Sequence, residues 1–159
     1  MYPQAQPEPG DPDTPRALTP VLLVGSDASD GAGRALAAAG RLAARIGGRI
    51  VVAHVRPNVP IVPSESFAVQ LCDDLEMAVM LQAATAIDPL RVEWQFVCVS
   101  GDPAHALSRL AAEHHADLLV IGSRGGGAGQ AVRRLVAGSV STYLMHHEHR
   151  PLLVIPAGA

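Results

Sequence analysis

This chain contains no lysine, and all 12 of its basic residues are arginines. A P-loop of the G-x-x-x-x-G-K-[ST] kind is therefore excluded, because the ammonium that reaches the phosphates is missing. Cysteine is nearly absent. Cys72 and Cys98 stand far apart without CxxC spacing, which suits a reducing compartment and apolar use rather than a disulfide framework. No apolar run approaches the ~20 residues that a helix needs to cross a bilayer. The net charge of -3 gives no strong field for nucleic acid or an anionic membrane. The first residues, MYPQAQPEPGDPDTPRALTP, are acidic and proline-rich rather than basic and apolar, unlike a signal peptide. The expectation is a soluble cytoplasmic protein.

Apolar side chains are abundant. They make up 48% of 159 residues, enough for one sizeable core. Residues 1–19 hold five prolines and little to bury, so they read as a disordered tail ahead of one domain over residues 20–159. From Pro20, VLLVGSD is a short apolar run of the kind found in parallel strands covered on both faces. Leu36, Ala39, Ala43 and Ile46 then recur at helical spacing, with Ser29 or Asp30 to cap the start and Gly47-Gly48 to stop it. RIVVAHV reads as a second strand. A weakly marked helix over Glu65–Ala86 follows, with Leu71, Leu75, Ala78, Val79 and Gln82 as its inner face. RVEWQFVCV is a third strand. A sharp helix start at Asp102-Pro103 leads to Leu107, Leu110, Ala111 and His114 on one face. DLLVIG and PLLVIP complete five strands. Strands alternating with helices predict an α/β domain with a parallel sheet.

In such a sheet, ligands sit beyond the carboxyl ends of the strands, where the winding reverses. Two small-residue corners fall there. Gly122-Ser123-Arg124-Gly125 follows the fourth strand, and Gly138-Ser139 precedes a helical face of Val140, Tyr143, Leu144 and His147. Glycines admit a ligand close to the main chain, and a helix start offers free N–H groups to an anion. Plain turns, or one unbroken helix through Gly138, account for the same residues equally well. Arg124 either neutralises phosphate charge or is solvated; Arg133 and Arg134 fit a solvated face.

The seven histidines do not form a zinc set. His114-His115 and His146-His147-His149 end helices, where the dipole favours them, and adjacent helical positions diverge. His54, inside a strand, reads as a hydrogen-bonded core residue. His105, on a first helical turn near the ligand edge, is the histidine worth testing as a base. A serine nucleophile lacks its GxSxG elbow, and no GxGxxG follows the first strand. No general-base or metal pair for phosphoryl transfer stands out, so robust catalysis is not expected.

The order of LLVGSDAS, VVAHV, GDPAHAL, ADLLVIGSRG and GSVSTYLMHHEHRPLLVIP resembles the universal stress protein family over about residues 20–156. The resemblance implies a three-layer, doubly wound sandwich with helices on both faces and strand order 3-2-1-4-5. It implies a regulatory protein in stress response that binds ATP, or AMP or ADP, with or without Mg2+. Main-chain groups at Gly122, Gly125, Gly138, Ser139, Val140 and Ser141 would hold the phosphates, Asp27 would face the ribose or base, and Val55 would face adenine. It also implies a homodimer joined by antiparallel pairing of the strand at residues 151–155. Two departures stand out. Twelve residues separate Gly125 from Gly138 where the family motif has nine, and Ala28 occupies a usual glycine position. The alternative they leave open is the same fold with a blocked site, acting as an interaction module.

Overall fold

The computed structural model describes residues 18–56, 65–123 and 140–156, with backbone alone for residues 65–71. The expected disordered tail lies almost wholly outside them. Five parallel strands form one sheet: β1 (Val21–Gly25), β2 (Arg49–Arg56), β3 (Trp94–Ser100), β4 (Leu118–Gly122) and β5 (Leu152–Ile155), in the order β3-β2-β1-β4-β5. The helices are α1 (Asp30–Ile46), α2 (Glu65–Ile87), α3 (Pro103–Glu113) and α4, described over residues 140–147. Both the doubly wound class and the strand order are as the sequence implied.

Alternation along the strands builds two cores, one per sheet face. Leu23, Val51, Ala53, Leu119 and Ile121 point toward α3 and α4, meeting Leu107, Leu110, Ala111 and Leu144. Leu22, Val24, Ile50, Val52 and Val120 point the other way, toward Ala35, Leu36 and Ala39 of α1 and Val79, Ala83 and Ile87 of α2. Strands covered on both faces must be apolar at every position, hence the continuous runs in the sequence.

Local signals set most boundaries. Ser29 caps α1, its hydroxyl accepting from the Ala32 amide, and Gly47 ends the helix at φ 66°. Asp102 caps α3, with Pro103 opening it. Three expectations shift. β3 starts at Trp94 rather than Arg91, because a 3₁₀ turn (Asp88–Leu90) closes at Arg91 in the left-handed conformation and Asp88 accepts from the Trp94 indole at 2.7 Å. Asp117 precedes β4; its carboxylate accepts from the Val21 amide at 2.8 Å and its own amide donates to the Val21 carbonyl. The inner stripe of α2 is Val79, Ala83 and Ile87, while Ala78 is exposed and Leu75 lies at the margin. Residues 75 and 77–81 are all apolar, so their spacing could not set the helix phase. Contacts with α1 set it instead: Gly33 lies against Gln82, and Gly40 against Ile87 and Leu90. Gln82 also donates to the Ser29 carbonyl.

Among the described glycines, the tightest approach is between α1 and the end of β4. A Cβ at Gly122 would overlap the carbonyl group of Gly31, and one at Gly31 would come within 2.7 Å of the Ser123 carbonyl oxygen. Neither backbone has side-chain freedom with which to yield. Gly122→Ala is expected to destabilise the fold by at least about 3 kcal/mol, the upper end of overpacking costs. Gly47→Ala, left-handed but with nothing within 4 Å of the added carbon, should cost about 1 kcal/mol. Urea unfolding midpoints measure both, and equal losses would contradict this account.

On the other sheet face, α3 is fastened to the end of α4 by Glu148. Its side chain is 2% exposed and accepts from Ser108 Oγ at 2.6 Å, from the amides of His149 and Arg150, and from the Arg150 guanidinium at 3.0 Å. Burial opposes the charge, but the hydrogen bonds from Ser108 and Arg150 outweigh it and hold the carboxyl below its usual range. A carboxyl with a depressed folded pKa stabilises the fold above its unfolded value, near 4.3, and loses that contribution as pH falls through the folded value. Glu148→Gln should therefore cost about 1–2 kcal/mol at pH 7, and the gap to the parent should close below about pH 4. A gap constant from pH 7 to pH 3 would show that the charge is not involved.

Candidate functional site

The winding reverses between β1 and β4: from β1 the chain goes through α1 to β2, whereas β4 is reached from β3 through α3. The carboxyl ends of β1 and β4 therefore lie side by side where the crossovers part, the usual place for a ligand crevice. Asp27 and Gly122 stand at these two ends.

The turn after β1 is held from several sides. The Ser26 amide donates to the Ala53 carbonyl at 2.9 Å, and the Ser26 carbonyl accepts from His54 Nδ1 at 2.9 Å. His54 is 3% exposed, a hydrogen-bonded core residue as its strand position indicated. Asp27 accepts from the Ser29 amide through Oδ1 at 3.0 Å. Between them Ala28 adopts φ 61°, a left-handed conformation that costs an L-residue about 1 kcal/mol relative to glycine. The usual family glycine is thus explained by backbone geometry, and alanine accepts the strain.

Val55, at the end of β2, and Val140, at the start of the described part of α4, pack against the same apolar cluster. Val55 is half-buried, as are Val140 and Ser141. Arg124, Gly125, Gly138 and Ser139 lie outside the described residues. Gly122 is brought beside Gly31 of α1, and its missing side chain admits that helix backbone. The sequence had offered ligand approach as the reason for glycine there; among the described glycines, positive φ belongs to Gly47 and Gly101.

Two helix starts at this edge are already occupied by their own caps. The first turn of α1 binds the Ser29 hydroxyl, and that of α3 binds the Asp102 carboxylate through the His105 amide at 3.0 Å. An incoming anion would have to compete with these groups, and with negative charge at α3. At the far end of β2, Arg56 is paired with Glu76 and lies 3.7 Å from Asp73. Glu76 also accepts from Cys98 Sγ at 3.2 Å. Burial, with this hydrogen bond adding, pushes the Cys98 thiol up, so it stays protonated and unreactive at neutral pH.

Sequence reasoning singled out Asp102 and His105 but missed their partner. His105 Nε2 lies 2.9 Å from Tyr143 Oη, and the Tyr143 ring stacks on His147 with centroids 4.1 Å apart. The Asp-x-x-His spacing was visible; the pairing across 38 residues arises only from α3 and α4 sharing a sheet face. Among the described residues, no group of three or more metal-ligating side chains forms, and no helix is long and apolar enough to cross a membrane.

The universal stress protein family profile matches residues 20–156. A universal stress protein of Thermus aquaticus is 35% identical over 136 residues, spanning 84% of this chain and 96% of the relative. A solved universal stress protein in complex with cAMP is 27% identical, with TM-score 0.67, covering 86% of this chain and 96% of its own. Another, from Burkholderia pseudomallei, is also 27% identical, with TM-score 0.68, covering 90% of this chain and all of its own (100%). With profile, relative and architecture in agreement over nearly the whole domain, the chain belongs to the universal stress protein family.

Proposed function

We propose that this protein binds an adenine nucleotide at the crevice between β1 and β4 and acts in stress response as a regulator rather than a robust catalyst. The observation that carries the reading is the winding reversal itself, with Asp27 just beyond the end of β1 and Gly122 at the end of β4. A 27%-identical family member solved with cAMP supports the adenine class. Competition elsewhere adds to it: α1 and α3 each commit a first-turn amide, that of Ala32 and that of His105, to an internal cap. By the family resemblance, Gly138, Ser139, Val140 and Ser141 would hold the phosphates together with Gly122, Arg124 and Gly125. Asp27 would take the ribose or base, and Val55, on an apolar wall shared with Val140, would lie along adenine. ATP, with or without Mg2+, is the proposed ligand, with AMP and ADP as shorter forms. Calorimetric titration of the full chain should show saturable ATP binding below millimolar concentration. No heat at millimolar ATP would refute the reading; binding gained on deleting Gly126–Ala128 would then establish the blocked-site alternative.

The same fold carries an assembly proposal. β5 is an edge strand paired only with β4 among the described strands, and its four residues are half-buried. An apolar open edge pairs readily with its own copy. Two copies are proposed to join β5 to β5, antiparallel about a twofold axis. Sedimentation at micromolar concentration should give a dimer, and Val154→Pro, which removes a ladder donor, should give a monomer. A parent that sediments as a monomer would exclude the arrangement.

A further inference from the structure

The most complete polar construction apart from the nucleotide crevice joins α3 to α4 at the surface. Asp102 Oδ1 accepts the His105 amide at 3.0 Å and lies 2.7 Å from His105 Nδ1. His105 Nε2 lies 2.9 Å from Tyr143 Oη. The His105 amide, then its side chain, hold the Asp102 carboxyl below its ordinary range, so at neutral pH it is an anion and can only accept. Nδ1 therefore carries a hydrogen toward Asp102, and in the neutral tautomer that this leaves, Nε2 accepts from the phenol. This is the carboxylate–imidazole–hydroxyl order by which a hydroxyl is made nucleophilic. His147 donates through Nδ1 to the Tyr143 carbonyl at 3.0 Å and lies parallel to the phenol at 10°. One ring face is thus covered, while Oη remains at the rim.

Stability alone does not account for the chain of groups. The side chains of Asp102 and His105 are 61% and 67% exposed, where hydrogen bonds and ion pairs contribute little. The two helices are already fastened by buried Leu144 and by Ser108 with Glu148. What an exposed, ordered relay gains is access to reagents from solvent.

We propose that Tyr143 is a covalent acceptor of acyl groups from activated esters, with His105 as general base and Asp102 as the positioning residue. In the step, the bond from Tyr143 Oη to the acyl carbon forms and the ester C–O bond breaks. The phenol proton moves to His105 Nε2 and then to the departing aryl oxide. An ordinary phenol, with pKa near 10, is about one part in a thousand ionised at pH 7; a placed general base raises such rates about 10²–10⁴-fold.

The test treats the full chain with p-nitrophenyl acetate and follows acetylation of the Tyr143 peptide by mass spectrometry, with N-acetyltyrosinamide as reference. Tyr143 should react at least about 100-fold faster than the reference at pH 7.5. Its rate should rise with pH far less steeply than the tenfold per unit of a reaction through free phenolate. The groups in contact with His105 are Asp102 from the start of α3 and Tyr143 from α4. His105→Gln should return the rate to the reference. Asp102→Asn keeps an equally good cap, so it reads the charge without unfolding α3; it should slow the reaction. A Tyr143 rate equal to the reference, a rate that climbs tenfold per pH unit through pH 9, or a rate untouched in both variants would each overturn the proposal.

Discussion

The domain depends on one backbone contact, that of Gly31 in α1 with Gly122 at the end of β4. It brings the helix leaving β1 directly over the carboxyl end of the neighbouring strand. Packing of this kind tolerates no side chain on either partner, because the atoms that would collide belong to main chain that cannot change rotamer. The contact fixes where α1 begins, and thereby the path of Ser26 to Ser29. Through the Ser26 hydrogen bonds to Ala53 and His54 it also ties that turn to β2. Three adjacent strand ends are held in one geometry as a result.

That geometry divides labour along the sheet edge. The turn after β1 uses Ser29 to close its own helix, and the turn after β3 uses Asp102 to close α3 with a negative charge. Charge at β2 is spent internally on Glu76 and Asp73. The two sheet faces differ as well. The α1–α2 face is closed by small residues packed against Gln82 and Leu90, whereas the α3–α4 face carries polar chemistry, with Glu148 buried and the Asp102–His105–Tyr143 chain exposed.

Much of this was legible in the sequence because the signals were local. Continuous apolar runs such as VLLV and LLVI marked strands buried on both sides, and Ser29, Gly47, Asp102 and Pro103 marked helix ends by their own backbone chemistry. Strand order came from family resemblance, since alternation alone does not fix it. What escaped was decided at a distance. The phase of α2 depends on where Gly33 and Gly40 let it approach α1, and its run of apolar residues carries no such information. The start of β3 depends on a side-chain bond from Trp94 to Asp88. Gly122 was noticed for the right position and for an incomplete reason, because the close approach it permits is by a helix of the same chain. Ala28 shows the converse: a departure visible in the sequence whose cost, a left-handed alanine, needed coordinates to appear.

An adenine nucleotide is proposed to occupy the crevice between β1 and β4. A crystal structure of the full chain grown with ATP tests it most directly. The expected result is a triphosphate lying against the main chain of residues 122–125 and 138–141, with Asp27 beside the ribose or base. ATP bound elsewhere on the domain, or a bare crevice in crystals grown at millimolar ATP, would contradict it.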